Sequence, residues 1–205
     1  MLKLLSLTAS FLVAGALSVA AATVEFKPPN DPIGQVATTN RNDGWSVGRG
    51  IGLTVSSDQT INSVGLFQDL TNIALSFSIH EISVSSSDTF TRGAALRSGG
   101  STVTTQGLEW IDYNFANLTL SAGTNYLLDF VFSGDSNQNF FYFNLNIPWS
   151  QGSYSFLEGT QGNSFFNGVV AAFRVNDVTP VPVPAGAVLL MSGLGLLVLR
   201  RRRAV

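Results

Sequence analysis

Between residues 23 and 178 apolar and polar positions alternate in short runs, and clusters of turn-forming residues separate the runs. In IALSFSIH, Ile73, Leu75, Phe77 and Ile79 share one side of an extended chain, and Ala74, Ser76, Ser78 and His80 share the other. NYLLDFVF repeats the pattern with Tyr126, Leu128, Phe130 and Phe132. FFYFNLNI predicts Phe141, Phe143, Leu145 and Ile147 inward, with Phe140, Tyr142, Asn144 and Asn146 outward. A period of two marks a strand with one buried face. Shorter candidates are IGLTVS, INSVGLF, STVTT, EWIDYNF, YSFLE and VAAFRV, set apart by SSDQ, RSGGS, SAGTN and SGDSNQN. No stretch of this region keeps a helical apolar period for more than about two turns. Around nine such strands predict an all-β fold, an antiparallel β-sandwich of jelly-roll type. An outer-membrane barrel also alternates, but over strands of about ten residues with lipid-facing exteriors. It has no need of the apolar, arginine-ended tail found here.

Two segments break the alternation. At the start, Lys3 precedes an apolar run from Leu4 to about Val19, followed by Ala20, Ala21 and Ala22. A short positive region, an apolar stretch and small residues at its end predict a cleaved secretory signal over residues 1–22; an uncleaved anchor is the alternative. At the other end, residues 179–205 include an uncharged segment from Pro184 to Leu199 and then Arg200, Arg201, Arg202 and Arg203. As a helix, 184–199 spans roughly 24 Å, a little short of the ~30 Å hydrocarbon core, and a start at Val181 makes it just long enough. Pro184 suits the first turn of a helix. The arginines would stop transfer and stay on the cytoplasmic side, which places the body outside. The body is then a sandwich domain over residues 23–178.

The tail VPVPAGAVLLMSGLGLLVLRRRR resembles the C-terminal sorting signals called PEP-CTERM, most closely the variant called VPLPA-CTERM. Three parts occur in the same order: Val181-Pro182-Val183-Pro184-Ala185, an apolar segment carrying Ser192-Gly193-Leu194-Gly195, and the terminal arginines. Val183 stands where the variant has leucine. The resemblance covers roughly the last 25 residues and does not extend to the body. It implies export by a Gram-negative bacterium through the inner membrane, with signal peptidase acting at the N-terminus. Recognition by an exosortase, a membrane transpeptidase, would follow at the tail. Delivery would be to the cell surface or to an extracellular matrix containing exopolysaccharide. If the tail is not cut, the same segment is a permanent anchor.

Charge sharpens this picture. The body holds Lys27, Arg41, Arg49, Arg92, Arg97 and Arg174 against all 13 acidic residues, which leaves it at −7. An acidic body does not suit nucleic acid, whose phosphates require a basic face. It suits a solvated surface protein or one that meets divalent cations. The chain has no cysteine. No disulfide, thiolate metal site, thiol nucleophile or N-terminal lipid anchor is therefore available, and a packed core must hold the fold.

Candidate chemistry is sparse. GWSVG, Gly44 to Gly48, matches the G-x-S-x-G pattern of a nucleophile elbow around Ser46. That elbow needs a strand before the serine and a helix after it. Here a glycine-rich entry to a strand follows, and a triad with Asp58 or Asp69 and His80 would be crowded into 35 residues. GRGIG fails as a dinucleotide motif because no helix follows it. His80, the only histidine, falls on the polar side of its strand. Two carboxylate pairs, Glu109 with Asp112 and Asp129 with Glu158, leave open a secreted glycan-active hydrolase. In DSNQN, Asp135, Asn137 and Asn139 alternate like half a calcium loop, but Phe140 occupies the required glycine position. A looser calcium site drawing on Asp31, Asp43 or Asp135 stays open. Trp45, Trp110, Phe140, Tyr142 and Trp149 fall in loops or outside the apolar register, where flat rings can stack on sugars. The expectation is an exported, non-catalytic surface or matrix protein, glycan-binding or adhesive, that needs no cofactor.

Overall fold

The computed structural model describes residues 22–28, 31–37, 43–133, 138–144, 149–166 and 169–178. In chain order the strands are β1 (Ala22–Phe26), β2 (Ile33–Ala37), β3 (Arg49–Val55), β4 (Gln59–Gln68) and β5 (Ile73–Val84). Then come β6 (Phe90–Val103), β7 (Glu109–Leu120), β8 (Asn125–Ser133), β9 (Gln138–Asn144) and β10 (Trp149–Gln151). The series ends with β11 (Tyr154–Gln161), β12 (Ser164–Phe165), β13 (Val169–Val170) and β14 (Ala172–Asp177). A 3-10 turn, Trp45–Val47, precedes β3. No helix among the described residues is long and apolar enough to cross a membrane. All of the predicted signal, residues 1–22, except Ala22, and the whole tail, residues 179–205, lie outside the described residues.

All pairings of these strands are antiparallel. One sheet runs β1-β14-β4-β7, and a larger one runs β10-β11-β3-β8-β5-β6 with β12 added to β11. The two sheets press their apolar faces together, as in a β-sandwich. Val24, Phe26, Val64, Leu66, Phe173 and Val175 are buried from the smaller sheet, and Ile51, Leu53, Leu75, Phe77, Leu128 and Phe130 from the larger. Rings meet across the layers: Phe130 stacks on Phe173 at 5.7 Å, Phe77 lies 5.0 Å from Tyr113, and Phe26 lies 5.9 Å from Phe156. Each large side chain buried in this way contributes about 1.5–3 kcal/mol. The inward sets predicted for β5 and β8 are the ones found.

A third sheet, β13-β9-β2, is joined to the end of β4 by two glutamines. Gln68 Nε2 donates to the Phe141 carbonyl and Gln68 Oε1 accepts from the Phe141 N–H, both at 2.7 Å. Gln138 does the same with Thr71, at 2.8 Å and 3.1 Å. A side-chain amide offers one donor and one acceptor in the geometry of a peptide, so each glutamine satisfies a backbone that no strand reaches. Elsewhere Arg97 on β6 donates to the Ala116 and Asn117 carbonyls of β7 at 3.0 Å and 2.7 Å, linking the two edge strands on that side.

Two expectations are corrected. In β9 it is Phe140 and Tyr142 that enter the main core, at 0% and 2% exposure, so the inward set is the reverse of the expected one. The cause is Trp45, which stacks on Phe140 at 4.8 Å and donates its indole N–H to Tyr142 Oη at 2.5 Å. Phe143 is buried on the opposite side, which is why the pattern alone could not choose. RSGGS is not a turn but the middle of β6. A Cβ at Gly99 would meet the Phe77 ring at 2.8 Å, so glycine lets that ring lie against the strand.

Candidate functional site

The exposed face of the smaller sheet carries ranks of side chains that follow from its register. Glu25, Arg174, Gly65 and Asp112 are successive partners across β1, β14, β4 and β7. Arg174 grips Asp112 with two N–H groups, Nε at 2.8 Å from Oδ1 and Nη2 on Oδ2, and lies 3.6 Å from Glu25. The hydrogen bond to Asp112 pushes the Arg174 pKa up, against partial burial, so this guanidinium stays charged. It also covers the Trp110 ring at 4.5 Å, and Trp110 packs on Phe67 at 5.0 Å. One rank away, Thr23 donates to Asn176 at 2.8 Å and Asn176 donates to Ser63 at 3.0 Å. On the other side Lys27 holds its ammonium 4.8 Å from the Phe67 centroid and 5.9 Å from that of Phe143.

This face continues over the β1 edge into an open cleft of about 560 Å³. Thr23, Glu25, Lys27, Asp31 and Gln151 supply its polar groups, with Pro28 and Pro32 beside them. The strand period explains the first two, since residues 23 and 25 point to one side of β1, and Lys27 follows just past its end. Gln151 arrives from β10, the edge strand of the larger sheet.

The outer face of the larger sheet is covered around β8, while Ala74, Ser76 and Thr102 on β5 and β6 stay exposed. Asp129 on β8 is wholly buried and pairs with Arg92 at 2.5 Å, and Arg92 also donates to the Gly162 carbonyl at 2.5 Å. Burial pushes the Asp129 carboxyl up, against the pull of Arg92 and of His80. Gly48, at φ 100°, leaves the space; a Cβ there would fall inside the Asp129 carboxylate. Leu127, Ile82 and Phe90 form a small apolar cluster beneath Phe165. His80 is tied down nearby. The Gly93 carbonyl can only accept, so in the neutral ring Nδ1 donates to it at 2.9 Å and Nε2 accepts from Ser78 Oγ at 2.9 Å.

The candidates from sequence divide accordingly. Trp45, Phe140 and Tyr142 are in the core and offer no face to a sugar. Trp110 and Trp149 are half-buried, Trp149 standing edge-on to Phe26 at 5.9 Å. Ser46 sits in the 3-10 turn before β3, not between strand and helix as an elbow requires. Glu109 accepts the Gln106 N–H at 3.1 Å, while Asp112 serves Arg174, and Asp129 is sealed from solvent. Neither carboxylate pair faces its partner across an open groove. Asp43 pairs with Arg49 at 3.3 Å, which occupies it with a guanidinium, and Asp31 is exposed in the cleft. Asp135, the sorting residues Val181 to Ala185 and Arg200 to Arg203 lie outside the described residues. No group of three or more metal-binding side chains occurs among the described residues. Lys27, Arg174 and Gln151 were not singled out by sequence. The alternation in TVEFK was the only signal available for Lys27.

No family model matches this chain, and no curated protein matches it. A solved structure with some similarity is that of infectious bursal disease virus, Gt strain. The identity is 12% over 91% of this chain and 48% of that one, with a TM-score of 0.24. This chain thus spans about half the length of the viral one, and a likeness at that score carries no argument.

Proposed function

We propose that this is an exported, non-catalytic protein of a bacterial cell surface or extracellular matrix, delivered by its C-terminal tail and binding glycan through its open sheet face. The observation that carries the reading is the three-part tail from Val181 to Arg203, set behind an acidic, cysteine-free body. On this reading signal peptidase cuts near Ala22, the apolar tail helix holds the protein in the inner membrane, and an exosortase-type enzyme then acts near the prolines. The body is a jelly roll. Taking β1, β3, β4, β5, β6, β7, β8 and β14 as strands one to eight, the sheet orders are 1-8-3-6 and 2-7-4-5, which supports two interleaved Greek keys. The strands β2 and β9 to β13 are then insertions. The fold alone does not choose a function. Support for glycan binding comes from Asn176, Thr23 and Lys27, hydroxyl-binding groups set beside the half-buried Trp110 and Phe67 rings, over which Arg174 and Lys27 lie.

The test is intact-mass analysis of the mature protein, together with fractionation of the cells. A mass lacking both residues 1–22 and the arginine-ended tail, in the surface or matrix fraction, is the expected result. A product that keeps RRRRAV overturns sorting in favour of a plain anchor. A product found in the cytoplasm overturns export.

A further inference from the structure

We infer that the cleft at the β1 edge is a binding subsite for a neutral polysaccharide, one rich in hydroxyls and free of carboxylates. The inference rests on the reading of the body as a glycan-binding surface protein and adds to it a place and a ligand class. The cleft volume of about 560 Å³ lies within the range of roughly 300–1,000 Å³ usual for small-ligand sites. Its chemistry is mixed. Glu25, Asp31 and Thr23, whose hydroxyl proton goes to Asn176, accept hydrogen bonds, Lys27 donates them, and Gln151 does both. Vicinal hydroxyls of a sugar each donate and accept, so they match a site that presents both kinds of group within one opening.

Charge then decides between polysaccharide classes. The side chains of the cleft supply two carboxylates and one ammonium, which the α-ammonium left by cleavage near Ala22 would balance, while the body around it stays acidic. A polyanionic chain would therefore meet long-range repulsion from the body, whereas a neutral chain meets none. Lys27 has no ion pair with a described residue, and its ammonium rests over Phe67 and Phe143, free to donate toward a hydroxyl. Half-buried rings stand on both flanks. Trp149 stands two residues from Gln151 on the same side of β10, and Phe67 and Trp110 continue the surface on the other side of Lys27. A sugar chain running along the β1 edge would therefore meet the hydrogen-bonding groups of the cleft, with half-buried rings to either side.

The experiment is affinity electrophoresis of the full chain in mild detergent, with dextran, yeast mannan, barley β-glucan or polygalacturonate cast in the gel. The expected result is retardation by at least one neutral polymer, unchanged between low and high salt. Asp31→Asn and Gln151→Ala should each weaken that retardation at least fivefold. Asn117→Ala, on the far edge strand, should leave it as it was. All three positions are exposed, so an unchanged urea midpoint will show that the fold is intact. Retardation by a neutral polymer that neither cleft variant alters would overturn the cleft and leave the glycan-binding reading standing. Retardation by polygalacturonate alone, lost in salt, would overturn the neutral ligand. No retardation by any polymer would overturn the glycan-binding reading and the cleft with it, while the mass measurement decides sorting independently.

Discussion

Two of the arginine–aspartate pairs among the described residues lie in opposite surroundings. Arg92 and Asp129 lie beneath the β11–β12 turn, with the Asp129 side chain at 0% exposure. Arg174 and Asp112 lie on the open sheet face, at 21% and 31%. In the first pair, desolvation of the carboxyl outweighs the attraction, and its pKa is raised. In the second, water still solvates both partners, and the hydrogen bonds fix the guanidinium over Trp110. A charge pair under cover ties elements together and becomes costly to break. The same pair in the open does little for stability and serves to shape a surface.

The sharpest test removes one partner of the covered pair. Arg92→Ala leaves the Asp129 carboxylate buried and alone, and should lower the unfolding free energy by about 3–5 kcal/mol in a urea titration. A loss no greater than that of a surface pair would show that water reaches Asp129 and would erase the contrast. Gly48→Ala attacks the same place from the other strand. It combines a left-handed backbone with a Cβ that collides with Asp129, and should cost about 2–4 kcal/mol by the same measurement.

The third prediction concerns pH. Because the folded Asp129 pKa lies above its unfolded value of about 3.9, the native state holds this proton more tightly than the unfolded chain. The group's contribution to stability is present in full below that value and is lost as pH rises through the folded pKa. Urea midpoints taken across this range should therefore contain a falling component that Asp129→Asn lacks; identical profiles would contradict the assignment. Smallest of all should be Arg174→Ala, at about 0.2–1 kcal/mol and shrinking further in salt. A larger, salt-independent loss would mean that the open pair is not open.

What the sequence made legible was periodic and local. The inward sets of β5 and β8 could be read because their two sides differ in polarity or bulk. In β9 both sides carry aromatics, so a period of two identifies which residues travel together but not which set turns inward. The decision is made by Trp45, 97 residues from its hydrogen-bond partner Tyr142. RSGGS has the composition of a turn, yet the Phe77 ring opposite requires glycine in mid-strand. The two ion pairs join residues 37 and 62 positions apart, and the cleft joins β1 with Gln151. Those meetings depend on strand order, which no local pattern encodes.

The register of the first and last strands has a mechanical consequence. Ala22 faces Asp177, so the two ends of the folded body lie side by side at one end of one sheet. Pulling these ends apart would open the β1–β14 pairs one at a time, as a zipper opens, and the resistance at any moment would be that of a single rung. A load applied at Asp177 along the strand axis is different. β14 is flanked by β1 and β4, and its bonds to both neighbours would bear the force together. A body held only by its C-terminal strand is therefore loaded in shear, the direction in which a sheet is hardest to tear.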